Sequence, residues 1–329
     1  MSRIARILVR RLAGIVPVAV IVVGGTFLLL EAAPGDAVDA YLASTGGDRA
    51  LVEELRRAWG LDAGPLARLW LYISALAHLD LGWSVAFSRP VIEVIGQRIA
   101  NTLLLMGCSV ALAVFVGSLL GVVAGSRPGS AADRALSLGS LALYAVPGFW
   151  LGLVLIVVFS VELRWLPGGG FETIASGLTG LARAGDIGRH LALPVAALGS
   201  IYLALYLRLM RAGMVEAWRQ DFVRAALARG LPRRQIVWKH VARNALLPVI
   251  TMVGLQAATL LGGSVVVESV FAIPGLGRLA HEAVVQRDTP LLLGVILTGA
   301  GLVILANLAV DLLYGWIDPR VGAGAETMA

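Results

Sequence analysis

Six uncharged apolar runs dominate the chain, at residues 12–30, 102–125, 136–161, 191–207, 248–267 and 291–310. Crossing a bilayer core takes about 20 apolar residues in a helix, so each run predicts one membrane span. The fourth is the shortest and is lengthened by the apolar flank that continues past Arg208 to Met210. Between the fourth and fifth runs the pattern becomes amphipathic. Met214, Trp218, Phe222, Ala225 and Ala226 recur at three- and four-residue spacing, which predicts a helix over 214–229, with Arg219, Arg224 and Arg229 off its apolar face. Gly230 then suits a left-handed stop, with Leu231 for the accompanying apolar contact and Pro232 blocking continuation. Pro232 opens a second helix that turns Ile236, Val237, His240 and Val241 one way and Arg233, Arg234 and Arg243 others. The segment 32–98 is long for a connection and carries amphipathic stretches at 51–59 and 66–78, a length usually tied to function.

Composition agrees with the pattern. Of 329 residues, 58% are hydrophobic and 15% charged, and the mean hydropathy is +0.84, which excludes an ordinary soluble domain. The fold class expected is an all-α membrane protein with six transmembrane helices. Charge gives the orientation, since short cytoplasmic loops hold the excess of Lys and Arg. Arg3, Arg6, Arg10 and Arg11 precede the first run, Arg127 and Arg134 separate the second and third, and nine basic residues lie over 208–243 against only Glu216 and Asp221. Both termini are therefore expected in the cytoplasm. The 32–98 segment, with six Arg against eight acidic residues, belongs outside. The net charge of +6 then reflects topology and not nucleic-acid binding, which would need a soluble groove with stacking aromatics. The first run is too long for the h-region of a cleaved signal and reads as a retained anchor. The single cysteine, Cys108, allows no disulfide and reads as a small packing residue in the second span.

Several chemistries are excluded. A P-loop needs a Gly-Lys pair before Ser or Thr, and the one lysine, Lys239, follows Trp238. His281-Glu282 begins like a zinc-protease helix, but Val285 stands where the second histidine belongs. His78, His190 and His240 lack ligand-spaced neighbours and suit surface or interface roles. Gly168, Gly169 and Gly170 after Pro167 mark a loop, with no βαβ context around them. What remains is a basic amphipathic loop, which on composition alone also suits a surface lying on anionic lipid.

The order of residues resembles a known family. LRLMRAGMVE at 207–216, DFVRAALARGL at 221–231 and RNALLPV at 243–249 are similar to the EAA-loop region of bacterial ABC importer permeases, in particular the dipeptide/oligopeptide/nickel branch. The likeness extends to VESVFAIPGLGRL at 267–279, QRDTP at 286–290, APGD at 33–36 and LDLGWS at 79–84, nearly the whole chain. Arg224 stands where the general motif has glutamate, and Pro232 where relatives often place a serine N-cap. The resemblance implies a type I ABC importer permease in the bacterial inner membrane. It divides the chain into a first helix with an extracytoplasmic segment (1–98), a five-helix core (99–315) containing the coupling loop 212–246, and a short cytoplasmic tail (316–329). It implies a coupling helix that seats in a cleft of a separate ATPase, with Phe222, Ala225, Ala226 and Leu227 as apolar contacts, Arg224 and Arg229 at the rim, and Gly230 as hinge. It further implies a second, homologous permease, two ATPase subunits that carry ATP and magnesium, and an extracytoplasmic substrate-binding protein docking near 32–98. No cofactor is expected on this chain, and no enzymatic activity.

Four polar residues in or beside the apolar runs are candidates for a translocation path: Asn101 and Thr102 at the outer start of the second span, and Gln256 and Thr259 within the fifth. Interhelical hydrogen bonding accounts for them equally well. Pro17, Pro147 and Pro194 are expected to bend spans. A secondary transporter would want embedded ionisable groups and internal repeats, whereas Glu268 and Asp311 fall toward run ends and no repeat is visible. A membrane scaffold without transport would explain the basic loop but not the polar groups inside the runs. Peptides are the cargo the resemblance favours; nickel chelates, glutathione and oligosaccharides use similar permeases.

Overall fold

The computed structural model describes residues 20–21, 24–25, 27–28, 64–78 and 80–317. Most of the first apolar run, the stretch 51–59 and the tail from 318 lie outside the described residues, as does the side chain of Thr259. The chain forms two compact units, Met1–Ala100 with Gly275–Ala309, and Asn101–Pro274 with Val310–Ala329.

In the first unit, helix α1 (Pro65–Ala77) opens with proline at its first position, where a missing N–H costs nothing. A hairpin of two-residue strands, β1 (Trp83–Ser84) against β2 (Arg89–Pro90), leads into α2 (Val91–Ser126). Helices α10 (Leu276–Val285) and α11 (Thr289–Ile317) complete the described elements. Val91, Val94 and Ile95 pack with Leu276, Leu279, Ala283, Leu291 and Val295 into one apolar core. Helix α11 approaches closely there because Gly294 has no side chain: a Cβ would fall 2.6 Å from Val91 Cγ1.

The second unit holds the remainder of α2, α3 (Ala131–Ala145), α4 (Gly148–Leu155, continued as a π-helix over Ile156–Glu162) and α5 (Gly180–Ala217). After α5 come α6 (Asp221–Ala228), α7 (Arg233–Gln235, continued as a π-helix over Ile236–Val241), α8 (Ala242–Leu255) and α9 (Ala257–Val270). Helix α5 is the central element: 61% of its apolar window is buried, against 28% for those of α2 and α11. It lies along a seam of Gly117, Gly121 and Gly125 on α2, where added Cβ atoms would stand 2.8, 2.6 and 2.4 Å from Leu203 O, Met210 Cβ and Met214 Cβ. Four-residue spacing puts the three glycines on one face, and small residues are what let two membrane helices approach this closely. The outward faces of α2, α3 and α4 carry Phe115, Leu138, Leu141, Tyr144, Trp150 and Val161 exposed, as expected of helices whose solvent is lipid.

The structure differs from the sequence reading at several points, among them α5, which at Gly180–Ala217 is much longer than the fourth run. Helix α2 starts eleven residues before the second run, so Asn101 and Thr102 lie inside it and not at its start. The third run is not one straight rod: α3 and α4 meet at 100°, because proline forces its predecessor out of the helical region and Val146 sits extended at ψ 126°. The fifth run is interrupted at Gln256, between α8 and α9. Cys108 is exposed on α2 and free, not packed inside. Among the described residues, three helices are long and apolar enough to cross a membrane, or four if the bent pair counts as one.

Candidate functional site

The segment joining α5 to α8 is built around α6. Helix α5 runs on through Met214 to Ala217, and a turn at 218–220 separates it from α6, so the single helix expected over 214–229 is two. No strong breaker marks that turn. Gln220 starts α6 with extended backbone and no side-chain cap, and Asp221 in the first turn complements the positive helix end. Val223 (2% exposed) and Ala226 (0%) turn inward onto a core with Met210, Met214, Ile236, Val237 and Val241. Arg224, Ala225, Leu227, Arg229 and Gly230 are exposed, and Phe222 is half-buried. Ala226 is thus the inward anchor of α6 and not part of its outward face. Arg224 pairs with Asp221 at 3.5 Å, but both are open to solvent, where such a pair contributes little.

The end of α6 follows the sequence reading. Gly230 has φ +73°, Gly230 N–H donates to Leu227 O at 2.9 Å and Leu231 N–H to Ala226 O at 3.3 Å, the paired bonds of a Schellman motif. Pro232 precedes α7 as its cap residue, and Ile236, Val237 and Val241 are buried while Arg233, Arg234 and Arg243 are exposed. His240, placed with the apolar face, is half-buried. Arg233 makes two longer-range contacts. One terminal guanidinium nitrogen donates to Ser126 O, at the end of α2, at 2.9 Å, and its carbon stands 5.4 Å from the Trp218 ring centroid. The bond gives one of the orphan carbonyls at a helix C-terminus a cationic partner.

The three path candidates whose side chains are described do not form one cluster. Asn101 Nδ2 donates to Pro274 O at 2.8 Å, and Thr102 Oγ1, fully buried, donates to Glu268 Oε1 at 2.7 Å. Both tie α2 to the end of α9. Gln256, half-buried, sits at the other end of α9, about 18 Å from Glu268 along a helix axis. An apolar groove of about 500 Å³ is lined by Leu209, Leu247, Pro248, Thr251 and Met252. Its one hydroxyl, on Thr251, is turned to Leu247 O at 3.0 Å.

Three structural features were not anticipated from the sequence. The first is the glycine seam on α2, signalled by its spacing. The second is an ion pair between Asp133 and Arg211, at 2.5 and 2.8 Å, with Asp133 2% exposed. Ser130 and Asp133 have the Ser-x-x-acid spacing of a helix start, a signal for Asp133's position though not for its partner. The third is the loop 163–179, fastened to the start of α5: Arg183 holds Glu172 at 2.6 and 3.1 Å, and Asp186 accepts from Thr173 N and Oγ1 at 2.7 and 2.8 Å. Arg183 keeps the Glu172 carboxyl below the ordinary carboxylate range. His190, for which the sequence suggests a surface or interface role, is 7% exposed and donates from Nδ1 to Asp186 O at 2.9 Å. Of the three glycines 168–170, Gly168 lies against Ser160, while Gly169 and Gly170 meet the end of α9, with Gly170 N–H donating to Phe271 O at 2.8 Å. Among the described residues no cluster of three or more His, Cys, Asp or Glu could hold a metal ion.

A short amphipathic helix anchored by its inner face, on helices whose outer faces are apolar, has the character of a membrane protein. Residues 117–323 match the model of the family described as binding-protein-dependent transport system inner membrane component. The chain is 36% identical over 320 residues to the oligopeptide transport system permease protein AppB of Bacillus subtilis (strain 168), covering 96% of this chain and 99% of that protein. It is 37% identical over 313 residues to the glutathione transport system permease protein GsiC of Pectobacterium atrosepticum, covering 95% and 97%. With its family-matched region holding the glycine seam, the bent pair and the whole of α6, this multi-pass chain belongs to the family of binding-protein-dependent transport system inner membrane components.

Proposed function

We propose that this chain is the transmembrane permease of an ATP-driven importer for dipeptides or oligopeptides, with α6 as the helix that couples it to an ATPase. The observation that carries the reading is the two-sidedness of α6. Val223 and Ala226 fix its inner face to the core, while Arg224, Ala225, Leu227 and Arg229 are left outward beside a stop at Gly230 that has no side chain in the way. That face is small in the middle and basic at the rim, and it suits insertion into a cleft of a soluble partner. Six spans with both termini in the cytoplasm place it on the ATP-containing side, following the basic residues of 208–243. ATP-driven closure of two ATPase subunits would draw two such helices together, this one and that of a second permease, and rotate the spans between inward- and outward-open states. Asn101, Thr102, Gln256 and Thr259 are proposed along the path, and 32–98 as the surface met by the binding protein.

Peptide cargo is supported by the oligopeptide permease named among the relatives. Glutathione, itself a tripeptide, is the second reading, favoured by a relative 37% identical over 313 residues. The test is mass spectrometry of what purifies with the chain from native membranes in mild detergent, followed by identification of the ligand released from the binding protein. Recovery of a second permease and P-loop ATPases is expected. The chain alone, with no ATPase even after crosslinking, would return α6 to a lipid-surface helix.

A further inference from the structure

Asp133 stands in the first turn of α3, and its carboxylate accepts four hydrogen bonds. Arg211 of α5 supplies two, Gly129 N–H one at 2.8 Å and Ser137 Oγ one at 3.3 Å. A carboxylate offers about four lone-pair sites, so this one is saturated. Ser130 Oγ accepts Asp133 N–H at 3.2 Å, which fixes the turn from the other side. The connector between α2 and α3, the start of α3 and the lower part of α5 are therefore joined through one side chain.

Arg211 lies six residues before α5 ends at Ala217, and only the turn 218–220 separates that end from α6. A displacement of α6 reaches Arg211 before any other charged tie between α5 and a neighbouring helix among the described residues. The seam between α2 and α5 holds by packing of glycines against side chains and backbone, whereas a two-pronged guanidinium–carboxylate pair fixes both distance and angle. Asp133 is buried while the Arg211 side chain is 35% exposed, and an ion pair of this kind adds little stability over an apolar pair of the same volume, so its worth at this joint is geometric.

We propose that the Asp133–Arg211 pair is a positioning clamp of the importer, which stays closed through the cycle and carries the movement of α6 into α3 and, past the bend at Pro147, into α4. This rests on the coupling reading of α6 given above. Arg233, donating to Ser126 O, makes the parallel tie to the end of α2.

The test uses the full chain in its assembled complex in lipid nanodiscs. Variants are Arg211→Lys, which keeps the charge, and the double Asp133→Asn/Arg211→Met, which removes both charges and leaves no buried one unpaired. The readouts are the ratio of ATP hydrolysis with and without the binding protein, and hydrogen exchange over 127–137 and 221–230 with and without ATP plus vanadate. The double variant is expected to retain its ATPases and basal hydrolysis, to lose at least fivefold in stimulation, and to respond to nucleotide at 221–230 but no longer at 127–137. Arg211→Lys should recover at least half of the stimulation. Wild-type stimulation and exchange in the double variant would overturn the clamp and leave the coupling reading standing. Failure of both variants to assemble would show a purely structural pair and overturn it too. A wild-type chain that holds no ATPase would remove the coupling reading, and the clamp with it.

Discussion

Ser84 Oγ donates to Asp288 Oδ2 at 2.6 Å across 204 residues of sequence, and both side chains are buried. The same oxygen accepts Ala86 N–H at 3.0 Å, and Oδ1 accepts Leu291 N–H at 3.1 Å. Asp288 therefore caps the start of α11 and holds the β1–β2 hairpin against it. Two of the segments that carry the family likeness, LDLGWS and QRDTP, meet at this one carboxylate.

Replacing Asp288 removes a cap, worth about 1 kcal/mol, and strands a buried hydroxyl and an amide, at about 1–3 kcal/mol. Asp288→Ala is expected to lower the melting temperature of the detergent-purified chain and to open the 83–90 hairpin to protease. Asp288→Asn, which keeps an acceptor oxygen, should do less. An unchanged melting curve and cleavage pattern for Asp288→Ala would contradict the assignment.

The seam of α2 makes a sharper contrast within one helix. A Cβ on Gly121 would stand 2.6 Å from Met210 Cβ and 2.7 Å from Leu207 O, and the latter is backbone that cannot swing away. A Cβ on Gly107 meets nothing within 4 Å. Gly121→Ala should therefore cost about 1–3 kcal/mol through overpacking. Gly107→Ala should be neutral or gain slightly from helix propensity. Thermal unfolding of the two variants side by side decides it: equal behaviour would mean that α2 and α5 are not in this contact.

What could be read in the sequence divides along physical lines. Punctuation is local, so the stop at Gly230-Leu231-Pro232 was legible, and so was the break at Pro147, though not its 100° angle. The turn at 218–220 was not, because apolar periodicity runs through it without glycine or proline. Helix faces were legible for Ile236, Val237 and Val241, whose spacing matches their burial. Pairings were not. Thr102 with Glu268 and Asp133 with Arg211 are 166 and 78 residues apart, and one chain carries no signal that joins them. Gly117, Gly121 and Gly125 stand in the sequence as a four-residue pattern, but apolar run length alone identifies a span without saying which face packs.

Helix α9 ends in a Schellman motif with a residue poorly suited to it. Ala272 N–H donates to Ser269 O at 3.3 Å and Ile273 N–H to Glu268 O at 2.8 Å, which places Ala272 at φ +52°. Left-handed backbone costs an L-residue with a Cβ about 1–2 kcal/mol, part of which glycine gives back in lost chain freedom. The Ala272 side chain is exposed, so little burial is lost on removing it. Ala272→Gly is expected to raise stability by about 0.5–1 kcal/mol. A lower melting temperature for this variant would show that the methyl group has a packing role.

Gly230 is the opposite case, a glycine where the motif wants one. Its φ is +73°, and an added Cβ would have nothing within 4 Å, so any penalty comes from backbone strain alone. A β-branched residue suffers most in this region, whereas asparagine enters it readily. Because the outer face of α6 is exposed and its left-handed stop is made by the Gly230 and Leu231 bonds to Leu227 and Ala226, strain there should fray the last turn and leave the spans folded. Gly230→Val is therefore expected to assemble with ATPase subunits yet lose most of the stimulation of ATP hydrolysis by the binding protein, with Gly230→Asn close to wild type. Hydrolysis measured on the purified complexes, with expression and assembly checked by mass, makes the comparison. Full stimulation in a well-assembled Gly230→Val complex would mean that the left-handed stop shapes the loop without taking part in coupling.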